Sequence, residues 1–517
     1  MKKFIYIFSL AAFMFPTSCS DFLEEELFSD LGEGSFPADM AHAETMISEA
    51  YGRAVHAFVT HHRLGWAVEF PTPSMQLWNR RAHERQNLQT WSWGTTFTDP
   101  SYYDLLDRIW AVVRSSNDVI GLLPDADLGD EVRKEEIIGE AHFLRALCYF
   151  NCVRLWGGMP IIDKPQTLKD DLYPERASIA DTYAFIISDL QMAASKLRSR
   201  SEQVAGGVPA GHATKHAALG LLAKVYLTMA GAPLNDASHL GDAKTALEQV
   251  MSSEHGLMPD FPSVFDWKNN NNQEMIFSWQ LEGTEQSSYA LFYFAPNDHA
   301  GDIWMPAGQQ GIEYDLVPPE WVDWYRARDS GPRFEYSIVT EYTNKDGVLR
   351  VYNAGPNEAA HVGKYRAPDY PMTQNCCDFP TDIPVLRYAD VLLMYAEVVN
   401  ELEGPSGAFQ YINQVRERAE LDPLSGLGKD ELRDAIFEER MLELAYEFDM
   451  LFDMRRRGWA YTKNLMEGFY KADQNDYPNG AAYANLTVEE HEMLFPYPVN
   501  DLNANPNLKG NPGYGQD

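Results

Sequence analysis

Two stretches of this chain are apolar on more than one side of a helix, and such a helix is stable only where neighbours cover several of its faces. From Gly139 to Trp156, residues Ala141, Leu144, Leu147, Cys148, Cys152 and Leu155 form one stripe, which Phe143, Phe150 and Val153 widen. From His212 to Met229, Ala217, Leu221 and Val225 run beside Ala218, Leu222 and Tyr226, and alanines at 213, 217, 218 and 223 let another backbone approach closely. Periodicity places further helices at about residues 39–58, 101–124, 178–198, 240–253, 384–402, 406–419 and 429–457. Helices in succession with small residues at their contacts suggest stacked pairs of tetratricopeptide type, although the strict repeat consensus is absent. With 517 residues, 45% of them hydrophobic, the chain can bury one large core.

The pattern changes between about residues 255 and 380. The run Asn269 to Asn272, prolines at 296, 306, 318 and 319, and aromatics without helical spacing predict loops and short strands. Residues 59–100, rich in Trp, Arg, His and Pro, show no persistent period either. The expected architecture is all-α dominated, a single domain over 19–517. Its helical frame covers about 39–58, 101–253 and 384–457, and irregular, aromatic-rich insertions cover about 59–100 and 255–380. Irregular segments held on a rigid frame are where binding surfaces are usually found.

Residues 1–18 read as a secretory leader. Met1-Lys2-Lys3 is a basic start, and Phe4 to Phe15 is apolar except for Ser9, a run short of the ~20 residues that span a bilayer. Pro16-Thr17-Ser18-Cys19 resembles a lipobox with Cys19 as the lipidated residue, Pro16 departing from the usual aliphatic residue. Ordinary secretion with Cys19 as a free thiol is the alternative. No later apolar run is long enough to cross a membrane as a helix, so attachment would come through N-terminal lipid. The formal charge is -34, and loss of Lys2 and Lys3 with the leader makes it -36. Such a field disfavours nucleic acid, whose phosphates need clustered Lys and Arg, and suits a neutral ligand. Cys148, Cys152, Cys376 and Cys377 are too few for a disulfide-built fold of this size.

Five stretches carry a family resemblance. The first is Ser20-Asp21-Phe22-Leu23 with Glu24 to Glu26 behind it, and the second runs from Gly139 through Arg154-Leu155-Trp156-Gly157-Gly158 to Pro160. The third is the alanine-rich Ala217 to Leu227. The fourth runs from Arg387-Tyr388-Ala389-Asp390 through Asn413 to Arg416 and on to Glu439-Arg440 and Phe452-Asp453-Met454-Arg455-Arg456. The fifth is Phe495-Pro496-Tyr497-Pro498 with Asn505-Pro506 and Asn511-Pro512-Gly513-Tyr514. In this order and over nearly the full length they resemble the SusD/RagB family, with His142, His212 and Asp390 as departures from its usual residues. The resemblance implies four tetratricopeptide-like helix pairs plus an irregular subdomain. It implies a lipoprotein on the outer membrane, facing the cell exterior, that binds a glycan and delivers it unchanged to a SusC-like TonB-dependent transporter. It implies neither enzyme activity nor a cofactor.

Several motifs invite a chemical reading. Glu439, Glu443 and Glu447 recur every four residues, but glycoside hydrolysis needs carboxylates ~5–10 Å apart across an open cleft, one with a raised pKa. These lie among Leu442, Leu444, Phe448 and Leu451, so a paired network with arginines such as Arg387, Arg440 and Arg455 is expected. His212 and His216 could share a helix face as zinc ligands, yet Ala213 stands where a metalloprotease needs glutamate, and they read as core or surface histidines. His61-His62 has no further support, Cys376-Cys377 reads as two reduced thiols because adjacent cysteines rarely meet disulfide geometry, and no metal site is expected. No phosphate-binding glycine loop or nucleophile elbow is present.

A sugar ring presents a C–H face and a rim of hydroxyls, so its site needs exposed flat aromatics beside polar side chains. Trp66, Trp78, Asn79, Arg81, Trp91 and Trp93 supply that mixture in the first insertion, and Tyr289, Phe292, Asn297, Asp298, Trp304 and Gln309 supply it in the second. Trp78, Trp93 and Trp304 are the expected exposed platforms, whereas Trp321, Trp324 and Tyr325, spaced helically beside Arg333, are assigned to the core. The family likewise places its ligand between comparable early and middle segments. The competing functions are a helical carbohydrate-active lyase or hydrolase, a RagB-like peptide-binding protein, and a purely structural transporter lid. Cys19→Ala is expected to release the protein from membranes, and fractionation in a host without the transporter would show it in the soluble fraction.

Overall fold

The computed structural model describes residues 37–60, 62–77, 86–94, 100–167, 170–281, 290–306, 309, 311–313, 315–352, 359–371, 379–470 and 486–516. Eight long helices form four pairs: α1 Met40–Val55 with α2 Pro100–Leu122, α3 Glu131–Trp156 with α4 Ile179–Lys196, α5 Lys215–Ala230 with α6 Leu240–Met251, and α7 Tyr388–Glu403 with α8 Pro405–Arg418. The pairs stack in order, α2 on α3, α4 on α5 and α6 on α7, while α9 Lys429–Glu443 covers α7 and α8. The expected tetratricopeptide-like array is present.

The sequence explains the local starts and the close contacts. Asp39, Asp130, Ser178 and Thr214 cap α1, α3, α4 and α5, each side chain accepting from a backbone N–H of the first turn. Helix α3 is buried along nearly its whole length, as its broad apolar surface requires. In α5, Gly220 faces Leu386, and a Cβ there would lie 2.4 Å from Leu386 Cδ2, so a larger residue would displace that side chain.

Charged side chains then lock the buried seams. Arg145 of α3 donates to both oxygens of Asp189 on α4 at 2.7 and 2.8 Å and to Asn117 of α2 at 2.7 Å, so one guanidinium ties three helices. Lys224 of α5 reaches Asp390 of α7 at 2.9 Å, and Asp390 accepts from Arg440 of α9 at 2.6 Å.

Both irregular segments are inserts in this array. One separates α1 from α2 and contributes β1 Gln76–Leu77. The other separates the third pair from the fourth and contributes β2 Met275–Trp279, β3 Asp315–Val317, β4 Ile338–Val339, β5 Glu341–Thr343, β6 Leu349–Val351 and β7 Ala360–Val362, with β8 Ile383–Arg387 at its end. An antiparallel sheet in the order β1-β3-β7-β4 joins the two inserts, Gln76 opposing Leu316. Strands β2 and β8 pair separately over a bulged register, as do β5 and β6.

Two helix expectations are corrected. Residues 384–387 belong to β8 and not to a helix, since Pro384 lacks the N–H a helix needs and the run Ile-Pro-Val-Leu-Arg pairs with β2. The helix expected over 429–457 breaks after Glu443 and resumes at Met450–Arg456. Between them Tyr446 and Phe448 adopt φ of 64° and 67°, a strained left-handed conformation for residues with side chains. The turn is held by Glu69, whose Oε1 accepts from the Phe448 N–H at 2.9 Å, and by the Tyr365 hydroxyl, which donates to Tyr446 O at 3.0 Å.

That turn delivers Glu447 into a buried ionic cluster. Arg387 donates to Glu274 at 2.7 Å, Glu443 at 2.6 Å and both oxygens of Glu447 at 2.7 and 2.8 Å. Arg333 reaches Asp329, Glu439 and Glu443 at 2.6 to 2.8 Å, and Arg416 pairs with Glu439 at 2.8 Å. Arg418 pairs with Glu274 and Glu443, and Lys364 with Glu447 at 2.7 Å. Arg333, Arg387, Arg416, Arg418 and Lys364 thus face Asp329, Glu274, Glu439, Glu443 and Glu447, and the charges balance. Of the arginines expected to pair with Glu439, Glu443 and Glu447, only Arg387 does: Arg440 is taken by Asp390 and Asp453, Arg455 donates to the carbonyls of Arg154 and Glu492, and Glu447 lies on the turn and not on the helix. Burial alone would raise the Glu443 pKa, but Arg418, Arg387 and Arg333 outweigh it and hold the group well below the ordinary carboxylate range.

Glu443→Gln keeps the shape and removes one charge against three guanidiniums, and is expected to cost about 3–5 kcal/mol in urea unfolding. Because the folded-state pKa is depressed, the wild-type advantage should be fully present above the unfolded pKa of ~4.5 and be lost as pH falls towards the folded value.

Candidate functional site

The sheet β1-β3-β7-β4 brings the two aromatic-rich segments together, as a site built between them requires. Trp66 and Tyr293, one from each segment, meet edge to face at 4.6 Å between ring centroids. Phe292 is half-buried, Asn297 is exposed, and Gln309 is half-exposed. Asp298 is committed to structure: it accepts from the Tyr342 hydroxyl at 2.8 Å and from Arg350 at 3.1 Å. Burial raises its pKa, and those donors with Asn344 bring it below the usual value. Trp78, Asn79, Arg81 and Tyr289 lie outside the described residues, as do Cys19, Cys376 and Cys377.

Four of the tryptophans expected in the site are core residues. Trp66, Trp91, Trp93 and Trp304 are each at most 3% exposed. Trp66 donates its indole N–H to the Asp315 carboxylate at 3.2 Å, Trp91 to Pro71 O at 3.1 Å and Trp304 to Val362 O at 2.7 Å, each indole thereby having its polar atom satisfied inside the protein. Trp91 and Trp93 would share one side of an extended strand, but Trp91 has φ of 52°. The chain turns there, and both indoles fold inward at 4.7 Å, Trp93 meeting Phe495 at 4.8 Å. Trp304 packs with Leu291, Ala295, Met305, Val339 and Phe379 in a second, smaller core. Trp321 and Tyr325 are buried as expected, and Trp324 stacks on Trp321 at 4.8 Å.

A surface with the right chemistry lies elsewhere in the second insert. A shallow, open hollow of about 460 Å³ is lined by Pro262, Ser263, Asp266, Trp267, Tyr336, Arg366, Pro368 and Asp369. Its aromatic walls are fixed by their neighbours. Trp267, half-exposed, donates its indole N–H to Asp369 at 3.0 Å and meets Tyr370 edge to face at 5.1 Å. Tyr336 lies over Phe265 at 6.2 Å with 20° between planes, and the Arg366 guanidinium sits 4.7 Å from the Tyr336 ring. Arg366 is itself anchored, donating to the carbonyls of Gly363, Glu335 and Tyr336 at 2.6 to 3.0 Å. The Lys268 ammonium and the Trp267 indole hold Asp369 ionised below its usual range, which makes it an acceptor for hydroxyls. Asp266-Trp267-Lys268, immediately before the asparagine run, was the available sequence signal. Nothing local shows that Tyr336 and Arg366 would join it.

A larger cavity of about 750 Å³ lies against the frame beside Arg455, Arg456, Trp459 and His491. Its Arg456 is paired with Glu397 and Asp453, and the Trp459 indole donates to Val488 O at 2.7 Å. These walls hold the C-terminal segment to the frame, and of the aromatics that line the cavity Tyr183 and Phe452 are buried while Trp459 is half-buried.

Residues 222–514 match the model of the SusD family, and residues 21–227 match a second one described as starch-binding and associating with the outer membrane. The chain therefore belongs to the SusD family. A SusD-like protein of Bacteroides ovatus is 24% identical, with 99% of this chain and 98% of that protein aligned. A SusD-like protein of Formosa agariphila is 31% identical over 79% of each chain. Among solved structures, a SusD homolog from Bacteroides thetaiotaomicron superposes with a TM-score of 0.79 at 22% identity, covering 92% of this chain and 97% of that one. A laminarin binding SusD-like protein gives 0.72 at 19% over 92% and 100% of the chains, and surface glycan-binding protein A from Bacteroides uniformis gives 0.74 at 18% over 91% and 99%. The helix-pair frame is the fold these structures share.

Trp304→Ala is expected to act as a core deletion, lowering stability by about 3–5 kcal/mol in denaturant unfolding.

Proposed function

We propose that this protein is a cell-surface lipoprotein that captures an oligosaccharide or polysaccharide and passes it unchanged to a SusC-like TonB-dependent outer-membrane transporter. The observation that carries the glycan reading is the Trp267 hollow: two fixed aromatic walls, an anchored guanidinium and an ionised carboxylate in an open, shallow surface. Aromatic faces match the C–H faces of sugar rings, and Asp369 and Arg366 match hydroxyls as acceptor and donor. The names of two structural relatives, one laminarin-binding and one surface glycan-binding, support the same ligand class.

In this reading Phe292, Asn297 and Gln309, with Trp78, Asn79, Arg81 and Tyr289 from outside the described residues, are further ligand-binding candidates. Cys19 carries the lipid, and the stacked helix pairs offer the long rigid face suited to a large partner such as the transporter. A carbohydrate-active enzyme is disfavoured because Glu439 and Glu443, which resembled a catalytic pair, are fully occupied by Arg333, Arg387, Arg416 and Arg418.

Isothermal titration of the soluble mature chain against a panel of neutral glycans tests the reading. One panel member is expected to bind without being cleaved, and Trp267→Ala should weaken it by about 1–3 kcal/mol, the range of base–aromatic stacking as a comparable contact. Product release, or binding unchanged by Trp267→Ala, would count against the hollow as the site of a non-catalytic binder.

A further inference from the structure

We propose that His216, Glu254 and His255 form a binding site for a transition-metal dication of the zinc type. His216 lies in the first turn of α5, while Glu254 and His255 lie in the turn that follows α6, so the third helix pair brings together residues far apart in sequence. One donor atom from each lies within 4.8 Å of the other two. The pairing of His216 with His212 suggested by their spacing is not formed: His212 Nδ1 is 2.7 Å from Glu140, on the side of α3.

The His255 imidazole is left in the tautomer a metal requires. His255 Nδ1 is 3.2 Å from Gln273 O, a backbone acceptor, so that nitrogen carries the proton and Nε2 carries the lone pair. This orientation of a ligating imidazole by a carbonyl is what outer-shell contacts do in metal sites. His255 is 6% exposed, and its Nε2 is buried without a hydrogen-bond partner. The buried Nδ1 of His216 is likewise without a hydrogen-bond partner and lies 3.6 Å from Glu254 Oε2. Two buried ring nitrogens without hydrogen-bond partners are costly unless something fills the space between them. Glu254 Oε1 accepts from Ser201 N–H at 3.2 Å, which leaves Oε2 turned toward His216.

The chemistry of the set selects the ion. Two imidazoles and one carboxylate suit zinc and its borderline neighbours with a fourth position open to water, whereas calcium and magnesium take oxygen donors. Bond lengths of ~2.1 Å in a tetrahedral site place donors ~3.4 Å apart. His216 Nδ1 and Glu254 Oε2, at 3.6 Å, are already near that spacing, and the Glu254 side chain, 33% exposed, opens the site to solvent. The half-buried Arg200 guanidinium donates to the carbonyls of Asn271, Asn272 and Met275. A bound ion would join the start of α5 to the turn after α6 beside Gln273, the approach to β2, and so stiffen the seam between frame and insert.

Chelator-treated full-length mature protein titrated with zinc chloride tests the proposal, with cobalt(II) absorption reporting the coordination geometry. One equivalent of zinc is expected to bind, with a tetrahedral cobalt spectrum and a raised melting temperature. Binding should be lost in His255→Ala and weakened ~10-fold or more in Glu254→Gln. The exposed Glu254 variant carries the comparison should His255→Ala fail to fold, judged by circular dichroism. Absence of zinc uptake by the wild type, or equal uptake by wild type and Glu254→Gln, would overturn the assignment.

Discussion

The contact on which the remaining architecture depends is Arg387 with Glu274, Glu443 and Glu447. Arg387 ends β8 and immediately precedes α7, Glu274 leads into β2, Glu443 ends α9, and Glu447 sits on the strained turn beyond it. One guanidinium therefore fixes where the long insert leaves the frame, where it returns, and how the last covering helix stops. Buried ions are costly to desolvate, so their value here is positional: a register shift in any of these elements would strand a charge in the core. The left-handed Tyr446 and Phe448 persist because the pairing of Glu447 with Arg387 and Lys364 compensates their strain.

The frame and the inserts meet different physical demands. Stacked helix pairs bury broad apolar faces against like faces, and polar ties such as Arg145 to Asp189 set the stacking register without adding length. The inserts have only short strands, and most of their buried aromatics join the main core, while Trp304 and Phe379 build a smaller one. What is left exposed is a few side chains whose orientation is fixed from behind, as Asp369 fixes Trp267 and three carbonyls fix Arg366. A site of that kind can receive a flat, hydroxyl-rimmed ligand with little ordering of its own side chains.

The helices were legible because their apolar faces repeat at a helical period, and the clearest of them, α3 and α5, are buried as their composition demands. The salt-bridge reading of Glu439 and Glu443 was legible for the same reason: carboxylates among leucines on one helix must find cations. The break at residues 444–449 was not, since its cause is Arg387 and Lys364, distant in the chain. His216 shows the same limit, its neighbours being residues 254 and 255 and not the histidine one turn away.

The order of the helices, the position of the two inserts and the acidic character of the chain were determined by the sequence itself, because each rests on local periodicity or on composition. Which aromatics face solvent was decided only by the tertiary structure. A tryptophan in an irregular segment has no period to assign it a side, and distant neighbours decide it: Val362 O meets the buried Trp304 indole, the Asp315 carboxylate that of Trp66, Trp91 and Phe495 cover Trp93, and Trp267 meets a carboxylate at the surface.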